Sequence, residues 1–269
     1  MKNKIIFLHS DLTWVRHFLL IVLLTLSLSG FSVSASQGLR YTAVIDAGSS
    51  GSRIHLYSVR AEQDFIKIES ASLSRPNVRP GLSHFIQDYG RLSKNDAGES
   101  LRPMLDSLSD YLEKNNISKS QVPVYVLATS GMRRVALTHP LVSIAIFDSV
   151  QRVVQELGYS VGDAPLGEIP QRSNRTGIGI LPGEFEALFA WEDVNYLTHA
   201  FHLQKVTNGI VEVGGSSAQV AYAVPNAFSS PAVITRKING VTYRVLGLNY
   251  ESAGLDAIVK TVHSSELTP

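Results

Sequence analysis

The chain predicts an α/β protein built on a duplicated fold, and three observations predict it. The first is the turn Asp46-Ala47-Gly48-Ser49-Ser50-Gly51-Ser52-Arg53, in which a carboxylate heads a run of glycine and serine. The second is the return of the same chemistry as Glu212-Val213-Gly214-Gly215-Ser216-Ser217-Ala218-Gln219. Each copy lies between two apolar, β-prone runs: residues 41–45 and 54–59 flank the first, residues 209–211 and 220–224 the second. Strand, acid, Gly/Ser loop, strand is the pattern of a tight hairpin with a carboxylate and hydroxyls at its tip. Glycine lets the backbone approach an anion closely, and successive N–H groups in such a turn form a concave anion site. Two copies imply a duplicated fold that grips a polyphosphate from both sides. The third observation is that strand and helix patterns alternate along the chain, as in α/β proteins.

The elements follow in order. Residues 66–73 read as a third strand, then comes the loop Arg75-Pro76-Asn77-Val78-Arg79-Pro80-Gly81. Residues 99–114 carry Leu101, Met104, Leu105, Leu108 and Leu112 at the spacing of one helix face. Residues 122–128 form a short apolar strand, with Thr129-Ser130-Gly131-Met132-Arg133-Arg134 as the loop at its carboxyl end. Residues 144–157 read as a helix stopped by Gly158. Residues 185–197 read as a third helix, opening just after Pro182-Gly183. The cluster of Gly158, Gly162 and Pro165 places a domain boundary there, dividing the chain into residues 36–160 and 161–269.

Residues 18–28 form an apolar run without charge, preceded by Lys2, Lys4, Arg16 and His17 and followed by Val33-Ser34-Ala35. This is the pattern of a signal peptide over residues 1–35, with the mature chain starting at Ser36. The expected location is therefore secreted or periplasmic; the alternative is a membrane anchor, if the apolar segment is retained. With 24 Lys and Arg against 23 Asp and Glu, the chain has no electrostatic footprint for nucleic acid. It has no cysteine, which excludes disulfides, thiolate metal sites and thiol nucleophiles, and favours a bacterial exported protein.

The motifs together resemble a known family, the nucleoside triphosphate diphosphohydrolases or apyrases. Residues 46–52 match its Asp-Ala-Gly-Ser-Ser-x-Ser/Thr region throughout. Ala128-Thr129-Ser130-Gly131-Met132-Arg133 resembles its second region, with Ser130 in place of alanine. Gly183, Glu186, Phe189, Trp191 and Asn195 fall in register with its third, with Ala187 in place of a glycine. Residues 212–219 resemble its fourth, with Glu212 in place of aspartate. Pro80-Gly81-Leu82-Ser83 and Leu246-Gly247-Leu248 are similar to two weaker regions. The resemblance spans roughly residues 41–255. It implies an actin-like, ribonuclease-H-like fold of two domains with an interdomain cleft. It further implies an exported, divalent-metal-dependent hydrolase of nucleoside tri- and diphosphates that releases inorganic phosphate.

By position, the resemblance makes Glu186 the base that activates water and Gln219 a residue that helps to place that water. Asp46 and Glu212 would hold Mg²⁺ or Ca²⁺, mainly through water. Gly48, Ser49, Ser50, Gly51, Ser52, Thr129, Ser130, Gly214, Gly215, Ser216 and Ser217 would grip phosphate oxygens. Arg53 and Arg133 could approach phosphate or simply be solvated or paired. Phe185, Phe189 and Trp191 read as core, and His199 with His202 lacks an acidic third ligand for zinc. Two departures bear on activity. Glu212 carries its carboxylate one methylene further than aspartate, and the chain ends at Pro269 with no counterpart of the family's fifth region, so the second domain is expected to be incomplete. The alternatives are a catalytically impaired nucleotide- or phosphate-binding remnant and an exopolyphosphatase-like hydrolase.

Overall fold

The computed structural model describes residues 5–9, 39–61, 66–86, 96–163, 166–172, 176–201 and 206–255. It divides into two compact units: the first is Leu23–Leu181, and the second is Pro182–Pro269 together with Met1–Val22.

In the first unit, β2 (Arg40–Ala47), β3 (Ser52–Ala61) and β4 (Ile66–Ala71) form an antiparallel meander. The two-residue β5 (Asn77–Val78) pairs with the start of β3. On the other side of β2 lie β6 (Val124–Ala128) and β7 (Ile178–Ile180), both parallel, giving the order β4-β3-β2-β6-β7. Central β2 and β6 are covered on both faces, so Ala43, Val44 and Ile45, like all five residues of β6, are buried without alternation.

The expected helix at 99–114 is two pieces, α1 (Asp96–Glu99) and α2 (Arg102–Lys114). Pro103 has no N–H to donate and is accommodated only in a first turn, so the longer helix starts beside it. Met104, Leu105, Leu108 and Leu112 then face the core as their spacing predicts. The segment expected as a loop at 129–134 is instead mostly helix, α3 (Ser130–Thr138), and α4 runs Pro140–Glu156. Gly158, at φ +83°, ends α4 as expected: its N–H donates to Gln155 O at 2.9 Å, and the Tyr159 N–H donates to Val154 O at 3.2 Å.

The boundary between the units lies at 181/182, later than the 160/161 read from glycine and proline. Strand pairing overrides the local turn signal. Val161 bridges to Val124, the Val126 N–H donates to Gly177 O at 2.8 Å, and β7 extends the β6 edge.

In the second unit, β8 (Gly209–Val213) and β9 (Ser217–Ala223) form the second hairpin; β11 (Val241–Glu251) pairs with β9, and β10 (Val233–Ile238) with β11. The open side of β8 is taken, in parallel, by β1 (Ile5–His9), a segment inside the expected leader; the rest of that leader lies outside the described residues. Both sheets thus flank the first strand of their hairpin with a parallel strand, β6 beside β2 and β1 beside β8.

The helix α5 (Gly183–Leu197) packs on this second sheet. Trp191 is fully buried, with ring centroids 5.4 Å from Phe201 and 5.7 Å from Tyr243. Phe189 is buried as expected, and half-buried Phe185 lies 6.0 Å from it. Asn195 ties the helix end to the entry of β8, accepting the Asn208 N–H at 2.7 Å and donating to Asn208 O at 3.1 Å. His199 lies beyond the helix end at φ +56°, and His202 lies outside the described residues.

Candidate active site

The first hairpin closes on the pair Ala47–Ser52, leaving Gly48 to Gly51 as its tip. Asp46 is paired across the strands with Arg53, whose Nη1 lies 3.6 Å from Oδ2. Burial nevertheless pushes the Asp46 carboxyl up to about 6, outweighing the opposing pull of Arg53. Ser50 is exposed at the tip and Ser49 half-buried. Ser52 sits at the base, 1% exposed, and its hydroxyl has no hydrogen-bond partner among the described residues.

Two other segments converge on Ser49. A methyl group on Gly81 would lie 2.4 Å from Gly48 O and 2.6 Å from Ser49 O; one on Gly131 would lie 3.0 Å from Ser49 Cα and 2.8 Å from Ser83 Oγ. The Thr129 N–H donates to Ala47 O at 3.3 Å, which docks the start of α3 against the hairpin. Thr129 precedes α3 without a side-chain capping bond, so the helix start keeps its partial positive charge. The structure therefore brings Asp46, Ser49, Thr129 and Ser130 together. Arg133 is spent locally, donating to Leu181 O at 2.9 Å.

The second hairpin has the same plan with different neighbours. Its tip closes as the Gly214 N–H donates to Ser217 O at 2.9 Å, and Leu255 N–H donates to Gly214 O at 2.9 Å. Gly215 is exposed and Ser216 half-buried, whereas Ser217 and Gln219 are buried. Strand register sets a row across three strands: Glu212 of β8 opposite Gln219 of β9, and Gln219 opposite Asn249 of β11. Alternation along β9 puts Ser217, Gln219 and Ala221 on its buried face. Ser217 is used there as a hydrogen-bond acceptor, taking an Nε2–H of Gln219 at 2.9 Å.

Half-buried Glu186 stands in the first turn of α5, where the helix dipole favours a carboxylate. Asp193 lies seven residues on, two turns later on the same face. It is 4% exposed, and one of its oxygens has no hydrogen-bond partner among the described residues. Burial, and then the charge of Glu212, push its carboxyl up to about 8. Sequence reasoning missed Asp193 and Asn249; the seven-residue step from Glu186 was the available signal for Asp193, and Asn249 had none, since its pairing with Gln219 is a register between strands.

A model of the GDA1/CD39 (nucleoside phosphatase) family matches residues 32–251, covering both hairpins and α5. The chain belongs to the GDA1/CD39 family. Its relatives in that family include probable apyrase 4 of Arabidopsis thaliana, 27% identical over 92% of this chain and 47% of the relative. The guanosine-diphosphatase of Schizosaccharomyces pombe is 28% identical over 83% of this chain and 38% of its own. The chain thus spans about half or less of the length of these GDA1/CD39 relatives. A crystal structure of nucleoside triphosphate hydrolases from Neospora caninum aligns with a TM-score of 0.56 at 16% identity, covering 81% of this chain and 45% of that one. The fold is the actin-like one expected of the family.

The region matched by the GDA1/CD39 model includes the serine-rich tips and the carboxylate heading each hairpin. Among the described residues, no three or more histidines, cysteines or acids cluster to hold a metal on their own. Each hairpin by itself offers one carboxylate and several hydroxyls, hard oxygen donors of the kind that suit a hydrated Mg²⁺ or Ca²⁺ rather than a caged transition metal.

Proposed function

We propose that this chain carries the machinery for metal-dependent hydrolysis of nucleoside tri- and diphosphates, with release of inorganic phosphate. The supporting observation is the placement of Glu186, in the first turn of α5, on the helix that packs over the sheet carrying Glu212, Gln219 and Asn249. Phosphoanhydride hydrolysis needs little covalent chemistry from a protein; it needs an aimed water and neutralised phosphate charge. Glu186 takes a proton from the water, and Gln219 holds that water in line. Backbone N–H groups and hydroxyls of Gly48, Ser49, Ser50, Gly51, Thr129 and Ser130 hold phosphate oxygens, assisted by Gly214, Gly215 and Ser216. Asp46 and Glu212 are the carboxylates assigned to a hydrated Mg²⁺ or Ca²⁺, which supplies charge neutralisation of the polyphosphate when bound. Export by the leader at residues 1–35 belongs to the same reading.

The test is phosphate release from ATP, GTP and ADP by the full chain, with Mg²⁺ or Ca²⁺ and with EDTA. Release that EDTA stops, and that Glu186→Gln lowers by about 100-fold or more, is the expected result. Full turnover in Glu186→Gln would remove the base from this residue.

A further inference from the structure

Beside Gln219 in the row stands a second amide, Asn249, whose role rests on the reading of Gln219 as the residue that holds the attacking water. An amide side chain donates from one end and accepts at the other, so its use depends on which end faces the site. For Gln219 that choice is made by its neighbours. Glu251 is a carboxylate and can only accept; it takes an Nδ2–H of Asn249 at 2.9 Å. Asn249 must therefore turn its Oδ1 the other way, where it accepts an Nε2–H of Gln219 at 2.7 Å. The second Nε2–H of Gln219 goes to Ser217 Oγ at 2.9 Å. With both donors used, Oε1 is the end of Gln219 left to meet a ligand.

We infer that Asn249, held by Glu251, is a positioning residue that sets the polarity of the Gln219 amide. The polarity matters chemically. A carbonyl oxygen accepts one proton of the water, leaving the other for Glu186 and a lone pair for phosphorus. An N–H in its place would donate to the water's lone pair and engage the electrons needed for attack.

The fold supports this placement. Asn249 is the cross-strand partner of Gln219, and Glu251 that of Ser217. Asn249 is also pressed by the start of α5: a methyl group on Gly183 would lie 2.3 Å from its Cγ and 2.5 Å from its Cβ. The helix that carries Glu186 thus confines the amide that orients Gln219. Half-buried Asn249 and exposed Glu251 lie near the end of β11.

The experiment uses the ¹⁵N-labelled full chain and reads the Gln219 side-chain NH₂ protons, assigned by their loss in Gln219→Leu. In the wild type they exchange slowly with water; Asn249→Ala raises their exchange by about tenfold, because one of two hydrogen bonds is gone. Unchanged exchange in Asn249→Ala overturns the inference, whatever the turnover. In the phosphate-release assay, Asn249→Ala lowers kcat by about tenfold with little change in KM, since a misaimed water affects the chemical step. The same substitution adds no loss in a Gln219→Leu background. Asn249→Asp keeps an acceptor toward Gln219 but sets two carboxylates side by side, and is impaired; combining it with Glu251→Gln removes that repulsion, and kcat recovers. Loss of kcat in Gln219→Leu with none in Asn249→Ala overturns the inference and leaves the water-holding reading of Gln219 intact. Full kcat in Gln219→Leu overturns both.

Discussion

Glu192 and Asp193 are adjacent and both buried, yet they meet different partners because a helix turns about 100° per residue. Asp193 feels the charge of Glu212, whereas Glu192 accepts from Arg236 Nε at 2.6 Å. Burial outweighs Arg236 and pushes the Glu192 carboxyl from 4.5 up to about 7. The folded state then holds this proton more tightly than the unfolded chain. Its contribution to stability is fully present below pH 4.5 and is lost as pH rises through about 7. Glu192→Gln keeps an acceptor for Arg236 and has no proton to lose. Between those pH values the variant is expected to gain on the wild type by on the order of 3 kcal/mol, measured by urea unfolding across the range. Asp46 carries a different expectation. An uncleavable ATP analogue binds more tightly with Mg²⁺ or Ca²⁺ than without; Asp46→Asn loses most of that gain and Glu186→Gln keeps it. Calorimetric titration of both variants with and without Mg²⁺ measures this, and equal metal dependence in wild type and Asp46→Asn would leave Asp46 a turn residue.

At the scale of elements, the first hairpin is shaped as much by what packs behind it as by its own glycines. Gly81 lets a loop backbone touch the carbonyls of Gly48 and Ser49, a contact that no side chain fits. Gly81→Ala must displace the hairpin tip, since the obstructing atoms are backbone. The expected result is a loss of stability of about 1–3 kcal/mol together with weakened binding of the ATP analogue, read by thermal unfolding and calorimetry. Unaltered binding would show that the tip does not need its present shape. The hairpins were legible because strand, acid, glycine and serine each have local meaning. The start of α3 was not: Thr129 and Ser130 suit a turn as well as a helix entry, and docking of Thr129 on Ala47 O decides it.

Over the whole molecule, the duplication read from two turns reappears as two sheets of like plan. The parallel neighbour of the hairpin comes from a different place in each: β6 follows β2 in the chain, whereas β1 precedes β8 by most of the chain's length. If the leader is cleaved after Ala35, β1 leaves and the outer edge of β8 is uncovered. A chain starting at Ser36 is then expected to show faster amide hydrogen exchange over residues 209–213 than the full chain, and a greater tendency to associate, because an open strand edge templates pairing. Equal exchange in the two forms would mean that Ile5–His9 contributes nothing to the sheet.

The sequence by itself determined the α/β class, the paired hairpins, the apolar faces of the helices, the stop at Gly158 and the family, because each rests on local periodicity, turn chemistry or ordered motifs. Only the tertiary structure decided the unit boundary at 181/182, where pairing of β7 to β6 outweighs a cluster of glycine and proline. It alone brought Asp193 to Glu212 and Asn249 to Gln219, since register between strands and the crossing of a helix over a sheet are relations between distant segments. A hydrogen bond between residues 219 and 249 leaves no periodic trace along the chain; it exists because β9 and β11 lie side by side.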